Sequence, residues 1–498
     1  MNLLFRTDAS LKIGTGHVMR CLALAQAWQD AGGSAMFAMA EATPAIQARV
    51  AAESCGIVPV SAGVGTEDDS AQTIAWAGEG QAAWIVVDGY QFDGEYQRRL
   101  KAAGFKLLFL DDYGHAAHYS ADFVLNQNVS ANQGLYADRE GHTCLLLGPR
   151  YCLLRREFAA WRKWTRKPLS VGRRVLVTLG GSDPGNMTLR VVDALKMVRL
   201  KDLEATILVG GSNPLAAMIE KAAARSGPNI TVKHDATNVA ELMAAADVAV
   251  SGAGSTCWEL CRMGLPALLV DLAANQTPLA SELERRGCAV HVGDQATSMQ
   301  KIAQQLERLL GSHELRQSLS QRAQELVDGW GTSRVVSVLQ RTERLRLRPV
   351  RAEDSRLLWE WANDPQVRAA SFSSAPIPWE THVAWFAQRL GPEKTLIFIA
   401  EDEAATPCGQ IRFDARTDGD WETDISMARG WRGCGLAGDL LRLGMHTMEE
   451  KGSNLRFHAF VKPANLASVK MFGKAGFKKT GTEQLRGHEA IHFIYERE

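Results

Sequence analysis

The sequence of 498 residues lacks several features that would direct it to particular partners. Lysine plus arginine and aspartate plus glutamate are equal at 56 each, so no excess charge favours nucleic acid or an anionic membrane. No apolar stretch is long enough to span a bilayer, and Arg6 and Asp8 interrupt the first apolar run, unlike a signal peptide. We therefore expect a cytoplasmic protein with no nucleic-acid or membrane partner.

The cysteine pattern also indicates a cytoplasmic protein. The nine cysteines are scattered and form no CxxC pair. Cys257 and Cys261 share a predicted helix face, but no second ligand pair accompanies them. Buried free thiols in a reducing compartment fit this pattern. The chain also lacks an internal repeat, a low-complexity tract and a flexible Gly/Ser linker, and its length predicts two to four domains.

Residues 1–150 alternate short apolar strands with helical segments. Strands are predicted at 2–6, 35–40, 84–88, 106–110 and 123–126, and helices at 17–31 and 94–103. This alternation predicts a parallel, doubly wound sheet.

The same pattern restarts after an Arg-, Lys- and Trp-rich segment at 151–174. Strands are predicted at 174–179, 205–209, 230–232, 248–251 and 267–270, with helical segments over 300–345. The predicted fold class is α/β, with two Rossmann-like lobes at 1–150 and 151–343. Ligands of such sheets lie at the carboxyl ends of the strands.

A third domain is predicted at 345–498, where the Rossmann pattern stops. It begins with a strand and a helix in RLRPVRAEDSRLLWEWAND, and further strands are predicted at 395–401, 410–414, 422–427 and 456–461. These elements indicate a mixed α+β sheet. Four tryptophans at its start are expected in the core rather than on a stacking platform: Trp359, Trp361, Trp379 and Trp385.

The turn IGTGHVMR at 13–20 follows the first strand. Gly14 and Gly16 permit a tight turn, and the helix that opens beside His17 offers unpaired N–H groups to an anion. A histidine titrates near neutrality, so His17 is a candidate proton carrier. A plain connection between strand and helix is the alternative that this motif alone leaves open.

Two Gly-rich turns of the second lobe have the form of a diphosphate site. The first, LGGSDPGN at 179–186, places Gly181 and Ser182 at a strand end, with Asn186 as the expected cap of the next helix.

The second turn lies in SGAGSTCWELCRMGLP at 251–266. Ser255 and Thr256 come at the helix start, and Glu259 follows one turn later, where its carboxylate can accept hydrogen bonds from a ribose diol. The alternatives are that Ser255 is a plain cap and Glu259 an exposed helix carboxylate.

This arrangement resembles the donor-binding lobe of the GT-B glycosyltransferases and epimerases that use UDP-sugars. The matching residues are Ser255, Thr256, Glu259, Gly264, Pro266, Asn275 and Gln276. Together with RTDASLKIGTGHVMRC, VVDGY, LDD and GGSDPGN, they make residues 1–340 similar to the UDP-sugar hydrolases of pseudaminic acid biosynthesis.

That resemblance implies metal-free hydrolysis of UDP-2,4-diacetamido-2,4,6-trideoxy-β-L-altropyranose, with His17 as the base that activates water. Asp8 is a candidate to orient His17 or the sugar, and Arg20 either acts directly or only pairs with a helix carboxylate. Tyr90 and Asn275 are implied to contact the sugar, and Glu259 the ribose. The expected substrate-binding residues are Gly14, Gly16, Arg20, Tyr90, Gly181, Ser182, Ser255, Thr256, Glu259, Asn275 and Gln276.

The third domain has two motifs of its own. GWRGCGLAGDL at 430–440 follows a predicted strand and opens a helix, so its N–H groups can cradle a pyrophosphate. With NLASVKMFGKAGF at 465–477, it makes the domain similar to the GNAT acetyltransferases, which implies acetyl-CoA as cosubstrate. The expected cofactor-binding residues are Arg432, Gly433, Gly435, Ala437, Asn465 and Ser468.

One position departs from that family. Many GNAT enzymes have at this place a tyrosine that protonates the leaving thiolate, whereas Phe472 cannot donate a proton. Glu422 and Asp424 share a face of a predicted strand and are candidate bases for the attacking amine. Asp424 is the expected catalytic residue, and a structural pair with a nearby arginine is the alternative.

The two resemblances together predict a bifunctional enzyme that N-acetylates a UDP-4-amino sugar with acetyl-CoA and then hydrolyses the product. The alternative is a GT-B-type UDP-sugar epimerase or glycosyltransferase. In that case the C-terminal domain is a noncatalytic acyl-CoA-binding module, an interpretation that Phe472 favours.

Overall fold

A computed structural model describes residues 1–10, 13–180, 183, 185–211, 213–226, 229–340, 345–390, 394–402, 405–432, 436–449 and 455–496. The chain forms two compact units, Met1–Leu339 and Gln340–Glu498. Within the described ranges, no helix combines the length and the apolar character that crossing a membrane requires.

The first lobe is a seven-stranded parallel sheet in the order β3-β2-β1-β4-β5-β6-β7. Its strands are β1 (Asn2–Thr7), β2 (Ser34–Met39), β3 (Gly56–Pro59), β4 (Ala82–Asp88), β5 (Leu107–Leu110), β6 (Phe123–Asn126) and β7 (Cys144–Leu147). Its helices are α1 (Gly16–Asp30), α2 (Pro44–Ala52), α3 (Glu67–Glu79) and α4 (Gly94–Ala102).

The second lobe is a six-stranded parallel sheet in the order β10-β9-β8-β11-β12-β13. Its strands are β8 (Arg174–Thr178), β9 (Glu204–Val209), β10 (Ile230–His234), β11 (Val248–Gly252), β12 (Ala267–Asp271) and β13 (Val290–Asp294). Its helices are α5 (Met187–Met197), α6 (Ala216–Ala224), α7 (Val239–Ala245), α8 (Thr256–Arg262), α9 (Thr277–Arg285), α10 (Met299–Gly311), α11 (His313–Leu326) and α12 (Gly331–Gln340).

The composition of the central strands explains these layers. In β8, Val175 and Val177 pack into one core and Leu176 into another, because successive side chains point to opposite faces of the sheet. Helices cover both faces, so both must be apolar, as is usual for parallel sheets. The strands β4 (AAWIVVD) and β12 (ALLVD) are apolar nearly throughout for this reason.

The second unit contains a seven-stranded mixed sheet in the order β14-β15-β16-β17-β18-β20-β19. Its strands are β14 (Arg346–Pro349), β15 (Thr395–Glu401), β16 (Pro407–Ala415), β17 (Trp421–Met427), β18 (Arg456–Val461), β19 (Lys478–Leu485) and β20 (His488–Glu496). Its helices are α13 (Ser355–Ala362), α14 (Pro365–Ala370), α15 (Trp379–Ala387), α16 (Leu436–Glu449) and α17 (Leu466–Lys474).

The fold class predicted from the sequence is confirmed: two Rossmann-like lobes with parallel sheets precede an α+β domain with a mixed sheet. The four tryptophans at the start of the second unit lie at the edge of its core rather than inside it. Trp361 and Trp385 pack against a small core around Ile399, whereas Trp359 and Trp379 are half-buried and meet edge to face.

Candidate active site

In the first lobe, the direction in which strands are added to the sheet reverses between β1 and β4. The chain proceeds outward from β1 to β3, returns at β4 and continues to β7 on the other side. Thr7 and Asp88, the last residues of β1 and β4, are partners in the register. Ligands of open parallel sheets bind outside the carboxyl ends of the strands at such a reversal. The residues that follow Thr7 and Asp88 therefore line the expected site.

The turn after β1 leads into α1. Gly14 has a φ of +80°, a left-handed conformation that glycine adopts at little cost, and its N–H donates to Ser10 O at 2.8 Å. Thr15 is the N-cap residue of α1 and makes no side-chain capping hydrogen bond. The first N–H groups of this 15-residue helix therefore keep their capacity to bind an anion.

His17 lies in the first turn of α1, against the end of β4. Its Nδ1 is 2.6 Å from Asp88 Oδ1; the Asp88 side chain is fully buried, and 12% of the His17 side chain is exposed. A carboxylate only accepts hydrogen bonds, so Nδ1 carries a proton, and in the neutral imidazole the lone pair is then on Nε2. The arrangement makes Nε2 a proton acceptor held in place by Asp88, as in other carboxylate–imidazole pairs that act as general bases.

Arg20 lies one turn after His17 and connects two carboxylates. Its Nε and Nη2 donate to Asp88 at 2.6 and 2.7 Å, and its Nη1 donates to Asp112 Oδ1 at 2.7 Å. The Tyr90 hydroxyl donates to Asp112 Oδ2 at 2.7 Å, and the Tyr90 ring meets His17 edge-on, with ring centroids 4.9 Å apart. The structure thus brings His17, Arg20 and Tyr90 together. The partners of Arg20 lie at the end of a strand (Asp88) or just after one (Asp112), not on a helix.

The protonation of this cluster follows from its charges. Burial alone would raise the pKa of Asp88, but the positive charges of Arg20 and then His17 lower it below its ordinary value. Burial likewise opposes ionisation of Asp112, and Arg20 again lowers the pKa. Burial and then the charge of Asp112 raise the pKa of Tyr90 well above its ordinary value. Asp88 and Asp112 are therefore anions at neutral pH, and Tyr90 is a neutral hydrogen-bond donor.

Asp8 has a different environment from the one that the sequence suggested. Its Oδ2 accepts from Arg6 at 2.8 Å, and its Oδ1 accepts from the N–H groups of Ala40 and Glu41 at 2.7 and 3.0 Å. Oδ1 therefore holds the end of β1 to the residues after β2, and Oδ2 pairs with Arg6 of β1. The carboxylate that orients His17 belongs to Asp88 instead.

The second lobe contributes a Gly-rich turn between β11 and α8. A Cβ placed on Gly16 would lie 3.7 Å from Ser255 Oγ, so this turn lies beside the first turn of α1. Ser255 takes the N-cap position of α8, but its side chain makes no capping hydrogen bond. The Ser255 hydroxyl and the first turn of α1 therefore lie next to each other, one from each lobe.

The loop after β12 lies against the same turn. Gln276 Oε1 accepts from the Leu272 N–H at 3.0 Å, and a Cβ placed on Gly254 would lie 3.8 Å from Gln276 Nε2. Asn275 lies in the 3₁₀ turn Ala274–Gln276 and is exposed. Gln276 thus fixes the loop that presents Asn275.

Glu259 is one turn into α8 and forms a bidentate ion pair with Arg155. The Nε and Nη2 atoms of Arg155 donate to the two carboxylate oxygens at 2.8 and 3.0 Å. Only 13% of the Glu259 side chain is exposed, so the alternative of an exposed helix carboxylate is wrong. Each oxygen keeps a second lone pair with which to accept from a hydroxyl.

The other turn of the second lobe is only partly described. Gly181 and Ser182 lie outside the described residues. Asp183 accepts from the N–H groups of Met187 and Thr188 at 2.9 and 2.8 Å and so caps α5. Asn186 takes the predicted N-cap position with a left-handed backbone, but its side chain makes no capping hydrogen bond, so the predicted side-chain cap is wrong.

In the second unit, the parallel strands β17 and β18 separate. They pair only at Trp421–Phe457 and Glu422–His458. Beyond this point the two strands are not paired, and both predicted cofactor motifs begin just after their carboxyl ends, at Arg432 and Asn465. The opening between the strands and the two motifs therefore lie on the same side of the unit.

The motif side chains that the structure describes bond to other parts of the same unit. Arg432 donates to Met427 O at 2.9 Å and to Asp364 at 2.8 Å, and Asn465 Oδ1 accepts from the Ser468 N–H at 3.2 Å to cap α17. Ala437 lies in the first turn of α16 and packs against the core. Gly433 and Gly435 lie outside the described residues. Asn465 thereby fixes the start of α17, and Arg432 pairs with Asp364.

Phe472 and the candidate bases differ sharply in exposure. Phe472 is buried between Phe477 and Phe493, with ring centroids 5.0 and 5.9 Å away, so it is a core residue. Asp424 is exposed, accepts from Gln410 at 3.0 Å and lies 3.5 Å from Arg412, the arginine pair that the sequence left open. Glu422 is half-buried, and burial, followed by the charge of Asp414, raises its pKa.

One group in the described residues has the spacing of metal ligands, namely Asp418, Asp420 and His458 in the second unit. Both ring nitrogens of His458 already have partners, because they lie 2.8 Å from Asp420 and from His492.

Sequence reasoning gave no role to Asp88 or Asp112. Both end or follow apolar strands, in VVDGY and LDDY, so their position at the carboxyl edge of a parallel sheet was a usable signal. The distance of 71 residues between His17 and Asp88 hid their contact.

Comparisons with known proteins agree with this architecture. Residues 175–329 match the glycosyltransferase family 28 C-terminal domain, and residues 344–478 match an acetyltransferase (GNAT) domain. The protein therefore combines a GT-B-like nucleotide-sugar unit with an acetyltransferase domain.

A particular family follows from a curated relative. The chain is 30% identical over 243 residues to the spore coat polysaccharide biosynthesis protein SpsG of Bacillus subtilis, covering 68% of that protein and 47% of this chain. The chain belongs to the SpsG family.

Further relatives differ in length. The UDP-2,4-diacetamido-2,4,6-trideoxy-β-L-altropyranose hydrolase of Campylobacter jejuni is 24% identical and covers 58% of this chain and 98% of its own length. The uncharacterized protein MJ1062 of Methanocaldococcus jannaschii is 20% identical, with 96% of this chain and 97% of its own length covered. A solved spermidine N-acetyltransferase from Vibrio cholerae, in complex with CoA and spermine, is 16% identical over 30% of this chain and 95% of its own, with a TM-score of 0.28.

Proposed function

We propose that the first unit hydrolyses UDP-2,4-diacetamido-2,4,6-trideoxy-β-L-altropyranose to the free sugar and UDP. We further propose that the second unit N-acetylates the precursor UDP-4-amino sugar with acetyl-CoA. The observation that carries the first proposal is the Asp88–His17 pair, whose acceptor nitrogen lies in the helix turn that adjoins Ser255. The homology to the Campylobacter jejuni hydrolase supports this substrate.

The chemical step follows from the roles of these residues. His17 Nε2 takes a proton from water, the water oxygen bonds to the anomeric carbon, and the bond from that carbon to the UDP oxygen breaks. The electron pair leaves with UDP, which is stable as an anion and needs no strong acid. Preorganised N–H and hydroxyl donors that hold such a departing charge are usually the largest catalytic contribution. The N–H groups of α1 and the Ser255 hydroxyl supply them here.

Charged groups of both signs surround His17. Asp88 and Asp112 contribute two negative charges and Arg20 one positive charge, so the cluster carries −1 while the imidazole is neutral. Protonation of His17 brings the sum to zero. The imidazolium that forms during the reaction is therefore stabilised by the buried carboxylates.

In the acetylation step, the 4-amino nitrogen of the sugar would attack the thioester carbonyl of acetyl-CoA and lose a proton to a base, and coenzyme A would leave as the thiol. Buried Phe472 cannot supply the thiol proton, so that proton comes from water or another side chain. Acetylation before hydrolysis places the two units in successive steps on one nucleotide sugar.

We expect Glu422→Gln to slow acetyl transfer more than Asp424→Asn. A half-buried carboxylate with a raised pKa is the better proton acceptor, and losing a positioned base costs about 100-fold or more. Release of the coenzyme A thiol from acetyl-CoA, with the UDP-4-amino sugar as acceptor, measures kcat for both variants. Glu353→Gln, an exposed carboxylate paired only loosely with Arg351, is the control. Equal losses in the Glu422 and Asp424 variants would contradict the assignment.

Hydrolysis in H₂¹⁸O tests the first proposal at the bond that breaks. Attack at the anomeric carbon leaves the phosphate oxygens of UDP untouched, so mass spectrometry is expected to show unlabelled UDP beside free sugar. Label in UDP would mean attack at phosphorus, and intact UDP-sugar would mean no hydrolysis; either result rejects the mechanism.

A glycosyltransferase is the second candidate, because the family 28 C-terminal domain match favours it. It differs from the hydrolase in needing an acceptor. UDP release in water alone supports hydrolysis, whereas release only after a sugar acceptor is added supports transfer. A UDP-sugar product inverted at C2 would instead identify an epimerase.

A further inference from the structure

Asp112 holds together three separate parts of the first lobe. It follows β5, and its Oδ1 accepts from Arg20 Nη1 on α1 at 2.7 Å and from Asn128 Nδ2, beyond β6, at 3.0 Å. Its Oδ2 accepts from the Tyr90 hydroxyl, beyond β4, at 2.7 Å. Only 18% of the Asp112 side chain is exposed. Three donors on different elements thus meet on one carboxylate.

We propose that Asp112 is a positioning residue for hydrolysis, a role that rests on the proposed function of the first unit. Asp112 accepts a hydrogen bond from the Tyr90 hydroxyl and so fixes the Tyr90 ring beside His17. Through its ion pair with Arg20, Asp112 also keeps Asp88 in position to accept from His17. Asp112 itself touches neither His17 nor the reacting atoms in this account.

The geometry of Arg20 explains why this position matters. Nε and Nη2 occupy Asp88, and the remaining nitrogen, Nη1, points to Asp112. A planar guanidinium with carboxylates on two of its edges has one orientation only. Without Asp112, Arg20 keeps its two bonds to Asp88 but loses the contact on its other edge, so the Arg20–Asp88 pair can shift as a unit and move the oxygen that accepts from His17.

Tyr90 needs the same carboxylate for a different reason. Its side chain is partly exposed at the site, and its ring has contacts with His17 and with Tyr113, at centroid distances of 4.9 and 5.2 Å. The hydroxyl bond to Asp112 is the polar contact that fixes the ring tip. Loss of that bond is therefore expected to weaken substrate binding rather than chemistry.

A double-mutant cycle separates the two roles. We expect Tyr90→Phe to raise KM about fivefold, the equivalent of one hydrogen bond, with little change in kcat. Asp112→Asn is expected to raise KM similarly and to lower kcat about 100-fold, as small displacements of catalytic groups do. In the double variant, the KM effects should not add, whereas the kcat loss should persist.

Asp138→Asn is the matched control, because Asp138 is exposed and pairs only with His118 at the surface. Thermal unfolding reports whether each variant is folded. If Asp112→Asn does not fold, Arg20→Lys replaces it: lysine keeps the charge but cannot bridge both carboxylates, and the same loss of kcat is expected. Unchanged kcat in these variants would overturn the proposal.

A second readout does not depend on turnover. The His17 Nδ1 proton, shared with Asp88 over 2.6 Å, should give a low-field proton resonance that is absent from Asp88→Asn. We expect this resonance to shift or broaden in Asp112→Asn and to stay unchanged in Asp138→Asn. If the wild type hydrolyses no UDP-sugar, the proposed function is wrong, and the resonance then tests the positioning role by itself. An unchanged signal in Asp112→Asn would overturn that role.

Discussion

His17→Asn is expected to abolish most hydrolysis while leaving substrate binding intact. Asparagine fills a similar space and can still donate to Asp88, but it has no nitrogen that takes a proton from water. A positioned base contributes about 100- to 10,000-fold, so kcat should fall by that factor. Calorimetry with the UDP-sugar should give a dissociation constant close to that of the wild type, because the N–H groups of α1 and the Ser255 hydroxyl remain.

His118→Asn is the matched control for this variant. His118 lies in the same lobe but pairs with exposed carboxylates at the surface, and its replacement should leave kcat unchanged. Hydrolysis by His17→Asn at more than a tenth of the wild-type rate would remove His17 from the role of base.

Asp88→Asn is expected to affect both activity and stability. Its amide cannot accept hydrogen bonds from both His17 and the two nitrogens of Arg20, so the imidazole loses its fixed tautomer and kcat should fall about 100-fold or more. The change also leaves the buried Arg20 charge with only Asp112 as its partner. Breaking a buried ion pair costs about 3–5 kcal/mol of unfolding free energy. Steady-state kinetics and urea unfolding measure the two effects separately.

The loss of stability in Asp88→Asn should depend on pH in a defined direction. The pKa of Asp88 is lower in the folded than in the unfolded chain, so its ionised form stabilises the protein above the ordinary aspartate value of about 4. That contribution disappears as the pH falls through the folded pKa. The difference in unfolding free energy between wild type and variant should therefore be constant near neutrality and shrink below about pH 4. A difference that stays constant into acid would contradict the charge assignment.

Short-range patterns in the sequence identified the right elements. The predicted strands at 123–126, 395–401 and 456–461 coincide with strands of the structure, because each is apolar and bounded by turn residues. The Gly-rich turn before His17 likewise signalled the start of α1. A motif confined to one turn can be recognised from the sequence, because all of its residues lie close together in the chain.

Contacts between residues far apart in the chain could not be predicted from the sequence. The contact of His17 with Asp88 depends on β4 lying next to β1, and the role of Asp112 depends on β5 and β6 following in order. The exposed strand β19 (KKTGTEQL) was missed because an edge strand with few apolar residues lacks the usual alternation. The Asn186 side chain was mistaken for the capping group because Asp183, three residues earlier, performs that role from a strained backbone position.

The most direct test of the bifunctional account is to incubate the full chain with UDP-4-amino-4,6-dideoxy-N-acetyl-β-L-altrosamine, with and without acetyl-CoA, and to follow the products by mass spectrometry. The account predicts free diacetamido sugar and UDP only in the presence of acetyl-CoA. In a parallel tube, the diacetylated UDP-sugar should be hydrolysed without acetyl-CoA. Intact diacetylated UDP-sugar in that tube would contradict the central claim.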